Sequence, residues 1–270
     1  EQLDAPEPVS AAVRMCQMDV GTRFAALPTS DRFSVAAYLR LVLAEAFEHE
    51  YDRILYMDCD VLVEGARFAK VFDLDIGDAP VGAVMDVYKD KRRNRQTSDQ
   101  RALGLHGAYF NSGVLLIDCK TFVAQEIADK CIEVAVKHSA DKLHFDQTLL
   151  NVALAGTWAQ LHPAWNWQWE VVRPQFALYM DPQIIHFLSA TKPWKDAKGA
   201  LPIRYREKAR LFFDAHYSEL ELNIAPPSIQ LTKRKVLARL IKHVFKVPRF
   251  VEMFNRHGGD IMKVLPPSKD

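Results

Sequence analysis

Glycine and proline are scarce, 11 and 14 of 270 residues, which excludes a fibrous or low-complexity protein. No run of 18 apolar residues occurs, so no membrane-spanning helix is encoded. The four cysteines (Cys16, Cys59, Cys119, Cys131) contain no CxxC pair. A cysteine zinc site therefore has no support, and at this size reduced thiols are expected rather than a disulfide scaffold. The opening EQLDAPEPVS holds neither an initiator Met nor the apolar core of a signal peptide, so the expectation is a cytoplasmic protein read from partway along a longer product. Net charge is only +1, which does not point to nucleic acid. No internal repeat is visible.

What is present is ordinary globular material, 49% hydrophobic and 26% charged, enough for one large domain or two small ones. Strand-length apolar runs stand at VRMCQMDV (13–20), RILYM (53–57), VGAVM (81–85), YFNSGVLLID (109–118) and QIIHF (183–187). Helical spacing covers 34–49, with Val35, Leu39, Val42, Leu43, Ala46 and Phe47 on one face and Asp31 or Ser34 as cap. Further helices are expected over 119–138 and 146–154. Such alternation predicts an α/β fold with a largely parallel sheet. Ligands of such sheets gather beyond the carboxyl ends of the strands, and Asp58, Asp60, Asp86 and His186 all fall at or just past a strand end. From about residue 200 the chain turns to short helices and proline-punctuated connections, which divides it at 1–200 and 201–270.

Within that tail, LTKRKVLARLIKHVFKVPRF (231–250) holds seven Lys/Arg and no acid. Leu237, Leu240, Ile241, Val244 and Phe245 follow helical spacing, with Lys235, Arg239, Lys242 and Lys246 mostly on the other side. A basic amphipathic helix of this kind suits an anionic membrane surface, where each cation contributes roughly 1 kcal/mol. Equally, it suits a surface helix docked on its own domain with solvated lysines.

The strongest local signal is ILYMDCDVLV. Aspartates at i and i+2 of an extended chain point to one side and are able to share a hard divalent cation such as Mn²⁺ or Mg²⁺, which can bind a diphosphate. Two ordinary turn acids are the bland alternative, but carboxylates set in an apolar run must be solvated, paired or metal-bound. Aspartyl-phosphate phosphatases of the haloacid dehalogenase type also use a strand-end DxD. They usually continue with a small turn, whereas Asp60 is followed by Val61-Leu62-Val63.

Taken in order, these segments resemble glycosyltransferase family 8, the group of bacterial lipopolysaccharide galactosyl- and glucosyltransferases and glycogenins. The resemblance covers about residues 13–195. SVAAYLRL (34–41) is similar to the helix before the family's metal strand, with Arg40 at its arginine position. RILYMDCDVLV is similar to the metal segment, GAVMD (82–86) to the one whose Asp contacts the donor sugar, and YFNSGVLLID to the Asn-small-Gly segment, here Asn111-Ser112-Gly113. DQTLLN (146–151) is similar to the Asp-Gln motif and HFLSATKPW (186–194) to the terminal motif.

The resemblance implies a GT-A type, Rossmann-like mixed sheet flanked by helices, with a C-terminal helical extension. It also implies Asp58, Asp60 and His186 on Mn²⁺ or Mg²⁺, and Arg40, Asp86, Asn111, Ser112, Ser189 and Lys192 on the donor. Asp146 and Gln147 take the catalytic positions. The activity implied is retaining transfer of galactose or glucose from a UDP-sugar to a glycan or glycolipid acceptor, lipopolysaccharide or another envelope polysaccharide. Gln147 stands nearest the face a nucleophile would need, and a neutral amide is a poor nucleophile, so front-face substitution is favoured. The expected location is cytoplasmic, peripheral on the inner membrane through 231–250.

Three departures stand out. The family opens with a strand–helix–strand unit ending in an Ala-Ala-Asp-like motif, which has no counterpart before residue 13. Without it, a catalytically inactive sugar-binding or assembly module becomes the rival reading. Ser189 stands where the family usually has Gly, and Arg32 where some relatives carry His. Two aromatic and basic features complete the reading. Trp158, Trp165, Trp167 and Trp169 form either a sugar-stacking acceptor surface or, slightly favoured, a patch that packs the C-terminal segment. KDKRRNRQ (89–96) either meets an anionic acceptor or is a solvated loop.

Overall fold

The computed structural model describes residues 14–18, 22–24, 27, 35–86, 103, 105, 108–138, 145–169, 176–226 and 232–266. Its centre is a four-stranded sheet in the order β1 (Arg53–Met57), β4 (Phe110–Asp118), β3 (Val81–Met85), β5 (Ala159–Gln160). A second sheet of three strands runs β2 (Val61–Val63), β7 (Ile184–His186), β6 (Trp167–Gln168). The mixed sheet that the family resemblance implies is what forms, not a largely parallel one. β1–β4, β3–β4 and β2–β7 are antiparallel, and only β3–β5 and β6–β7 are parallel. A buried strand has the same apolar composition in either direction, so such runs do not express the sense of pairing.

The apolar runs at 53–57 and 81–85 are strands over those residues, and β4 and β7 begin one residue inside the expected runs. β4 is buried almost throughout because it lies between β1 and β3 with helices behind it. Residues 14–18 carry no strand, so the expected strand at 13–20 is not seen there, and its remaining residues lie outside the described ones. The expected helix at 34–49 is a 3₁₀ turn, Val35–Leu41, followed by α1 (Leu43–Phe47). Three residues per turn re-aim the buried face, so Tyr38, Leu41 and Ala44 go inward while Ala46 is exposed. The segment 119–138 is two helices, α2 (Cys119–Ala124) and α3 (Ile127–Lys137), broken where Glu126 takes a left-handed conformation (φ 53°). The Asp118 carboxylate caps α2 by accepting from Thr121 N at 3.0 Å. α4 spans Phe145–Ala153 and α5 Ala177–Met180.

Beyond residue 200 come α6 (Ile203–His216), α7 (Lys233–Val244) and α8 (Val247–His257). This part shares cores with what precedes it. Leu201 and Tyr205 pack with Trp167, Trp169, Phe176 and Ile185, and Ile261 packs with Leu161 and Trp165. After α8 the chain returns to the sheet edge, where Leu265 and Gln160 exchange two backbone hydrogen bonds of 2.9 Å.

Candidate active site

Three turns bring the acidic residues and the histidine together. β1 ends at Met57, and Asp58 N donates to Gly113 O at 2.8 Å, so the chain stays tied to β4 as it turns. β2 leaves from Asp60, whose carbonyl accepts from Phe187 N at 3.0 Å, and Val61 pairs with His186 across β2–β7. β4 supplies the third turn. Its register against β3 jumps from Ala83↔Leu115 to Val84↔Asn111, which bulges Ser112-Gly113-Val114 toward the acids. At Gly113 a Cβ would fall 2.1 Å from His186 Cε1 and 2.6 Å from Asp58 Oδ2. Only glycine lets the strand pass this close.

The result is one cluster in which ligand atoms of Asp58, Asp60 and His186 lie within 4.8 Å of one another. His186 Nε2 is 3.0 Å from Asp60 Oδ1 and 3.9 Å from Asp58 Oδ2. His186 Nδ1 lies 3.1 Å from Asn166 Oδ1. An amide oxygen only accepts, so Nδ1 carries the proton and Nε2 turns its lone pair toward the two carboxylates. Asp60 Oδ1 is buried and has no hydrogen-bond partner among the described residues. Two carboxylate oxygens and an imidazole lone pair facing one another demand a positive charge between them. An O,O,N donor set of this kind suits Mn²⁺ or Mg²⁺. Burial raises the Asp60 carboxyl, but its contacts with His186 and with the Lys192 ammonium at 2.5 Å outweigh it and bring it down to about 2.

Around this cluster the polar side chains form a connected network. Arg40, buried, donates to Asp58 Oδ1 at 2.9 Å and to Ser112 O at 2.8 Å, and pairs with Asp146 Oδ2 at 3.0 Å. Its guanidinium lies over Tyr56, whose hydroxyl donates to Asp58 Oδ1 at 2.7 Å. Ser112 Oγ donates to Asp146 at 3.1 Å. Burial pushes the Asp146 carboxyl up, opposed by the Arg40 charge and the Ser112 hydroxyl. Gln147 Nε2 donates to Asp86 Oδ2 at 3.0 Å, while its Oε1 accepts from Asn111 Nδ2 and Ser112 N, each at 3.2 Å. Asn151 fixes α4 on β4 by bonding both backbone groups of Phe110. Lys192 also donates to Phe187 O. Ser189 is exposed, with its hydroxyl on Thr191 O at 3.1 Å. Trp194, behind buried Pro193, is half-buried.

Sequence reasoning missed Asn166, which links Asn111 to His186. It sits among four tryptophans, whose signal hides it. Those tryptophans are not an acceptor surface, since Trp158, Trp165, Trp167 and Trp169 are all buried. Trp165 Nε1 donates to Ile261 O at 2.8 Å, and the Trp169 ring meets Tyr205 edge-on, so two of them pack C-terminal segments. Residues 89–96, Asp31, Arg32 and Ser34 lie outside the described residues.

An α/β scaffold in which an Asp-x-Asp turn and a distant histidine converge fits a glycosyltransferase. The chain belongs to glycosyl transferase family 8, whose profile matches residues 7–198. General stress protein A of Bacillus subtilis (strain 168) is 33% identical over 181 residues, 61% of this chain and 61% of its own length. The lipopolysaccharide 1,3-galactosyltransferase of Salmonella typhimurium is 27% identical over 191 residues, 67% of this chain and 55% of its own. A crystal structure of the galactosyltransferase LgtC with donor and acceptor sugar analogues superposes with TM-score 0.55 at 26% identity, covering 76% of this chain and 74% of that one. The chain thus spans 61% and 55% of the length of these two curated relatives.

Proposed function

We propose that this protein transfers galactose or glucose, with retention of configuration, from a UDP-sugar to a glycan or glycolipid acceptor of the lipopolysaccharide kind. The observation that carries this reading is the convergence of Asp58, Asp60 and His186, with Lys192 beside Asp60. Mn²⁺ or Mg²⁺ held by those three side chains supplies charge neutralisation at a departing diphosphate. Lys192 adds a second cation at the same edge, able to exchange its contact with Asp60 for a phosphate oxygen. Arg40 is walled in by Asp58, Asp146 and Ser112, so it serves the donor by holding the Asp58 carboxylate in place. Asp86, Asn111 and Ser112 line the sugar side, and Ser189 stands exposed at the phosphate side.

Gln147 is held at both ends by protein partners, and its amide is a weak nucleophile. Asp146 is buried and paired with Arg40. Neither side chain is set to form a glycosyl–enzyme bond. This favours same-face attack by the acceptor hydroxyl as the diphosphate leaves, with the proton passing to a diphosphate oxygen. Residues to about 200 carry this chemistry, and 201–270 supply contact with an anionic membrane. In support of that contact, Leu237, Ile241 and Val244 are exposed along α7 and Phe245 just past its end, among the basic residues of 231–250. Arg239 and His243 attach the opposite side of the helix, through Ala200 O and the Phe176 ring. No helix among the described residues is long and apolar enough to cross a membrane.

Isothermal titration of UDP with and without Mn²⁺, followed by a hydrolysis screen across UDP-sugars, tests the reading. Mn²⁺-dependent binding and turnover of one UDP-hexose are expected. Absence of UDP binding by the full-length protein would overturn it and favour the rival sugar-binding module.

A further inference from the structure

Four side chains connect the metal cluster to the far end of the sugar side, and every hydrogen in the connection points the same way. His186 Nδ1–H faces Asn166 Oδ1 at 3.1 Å. Asn166 Nδ2 donates to Asn111 Oδ1 at 2.9 Å, Asn111 Nδ2 to Gln147 Oε1 at 3.2 Å, and Gln147 Nε2 to Asp86 Oδ2 at 3.0 Å. Each amide uses its oxygen toward His186 and its nitrogen toward Asp86. The series ends on a carboxylate, which only accepts when ionised. Reversing any one amide would set donor against donor or acceptor against acceptor at two junctions. Asn166 is 1% exposed, so no solvent relieves such a mismatch.

We infer that Asn166 is a positioning residue that fixes the His186 ring as an Nε2 metal ligand and ties that ligand, through a one-way series of side-chain amides, to Asp86. This rests on the proposed metal site. A ligating imidazole commonly donates its other N–H to a carboxylate or carbonyl, which sets its orientation and raises its basicity. Here three amides are interposed between imidazole and carboxylate, and hydrogen bonds in series polarise one another. The arrangement makes the metal ligand and the sugar contacts Asn111 and Asp86 parts of one preorganised unit.

Direct Mn²⁺ binding, read by electron paramagnetic resonance of the free ion, tests this on wild type, His186→Gln, Asn166→Ala, Asn166→Ser and Asn166→Asp, with thermal melting as the check on folding. His186→Gln should weaken Mn²⁺ binding. Asn166→Ala and Asn166→Ser should weaken it roughly 10- to 100-fold, as loss of an outer partner does at other metal sites. Asn166→Asp keeps an acceptor for His186 Nδ1–H but removes the donor to Asn111. It should therefore bind Mn²⁺ within a few-fold of wild type while its KM for the UDP-sugar rises. Equal weakening in Asn166→Ser and Asn166→Asp would reduce Asn166 to packing and overturn the inference. Wild-type Mn²⁺ affinity in Asn166→Ser, alongside weakened His186→Gln, would overturn it while leaving the metal site intact. Wild-type affinity in His186→Gln would overturn the metal site itself.

Discussion

The cleft around Asp58 and the face around Leu237 break the burial rule in opposite directions. In the cleft, Arg40, Asp86, Asn111, Asp146, Asn166 and His186 are buried polar groups held by one another. On the face, Leu237 is 59% exposed, Val244 65% and Phe245 79%, on a helix fastened by its polar side. A buried polar group is costly without partners, and an uncovered apolar stripe forgoes about 25 cal/mol per Å². The proposed function gives each region its own partner, a cation in the first and an apolar, anionic surface in the second.

The comparison is broken most directly at the cleft. Asp60→Asn should lower metal-dependent UDP-sugar hydrolysis by roughly 10³-fold, since a bound cation contributes several kcal/mol and each 1.4 kcal/mol is tenfold. Full activity in that variant would dismantle the site. Gly113→Ala should cost about 1–3 kcal/mol of stability through overpacking against His186 and Asp58, read as a lowered urea midpoint, and should also weaken Mn²⁺ binding. At the face, Leu237→Asp with Ile241→Asp should abolish co-sedimentation with phosphatidylglycerol vesicles. Urea stability should stay within about 0.5 kcal/mol because neither side chain is buried. Binding of the double variant as tight as wild type would remove the membrane reading.

A last effect concerns the return of the chain to the sheet, where buried His162 and His257 meet edge-on at 5.3 Å. Burial, with the nearby His162, Arg256 and Lys263, pushes His257 down to about 3, and burial lowers His162 as well. The unfolded chain takes up protons near 6.5 and the folded one does not. Stability is therefore full above pH 6.5 and falls with pH toward about 3. The expected slope is up to about 1.4 kcal/mol per pH unit per histidine. Urea titrations at pH 7 and 5 should show the loss in wild type and a smaller one in His257→Phe.

Much of the cleft was legible because its parts are short and local. RILYM and VGAVM announce strands by composition, and the acids after them stand where parallel and antiparallel strands alike release their chains. The relation of His186 to Asp58 came through family resemblance, since 128 positions separate them and no local pattern expresses the contact. Asn166 left no trace, because its role is a pair of hydrogen bonds to residues 55 and 20 positions away. Strand direction was misread because a buried antiparallel strand and a parallel one have the same apolar composition. The break at Glu126 was invisible for a related reason. Helical spacing continues across it, and one left-handed residue restarts the helix without a glycine or proline to mark the place.

Burial of the four clustered indoles leaves the protein with a natural optical reporter. Trp194 is the remaining tryptophan and the one that water partly reaches, two residues from Lys192. Acrylamide should quench its emission while the other four stay shielded, and a nucleotide settling against Lys192 should protect it. Donor occupancy is thereby readable from the unlabelled chain, in a cuvette, without waiting for a product to form.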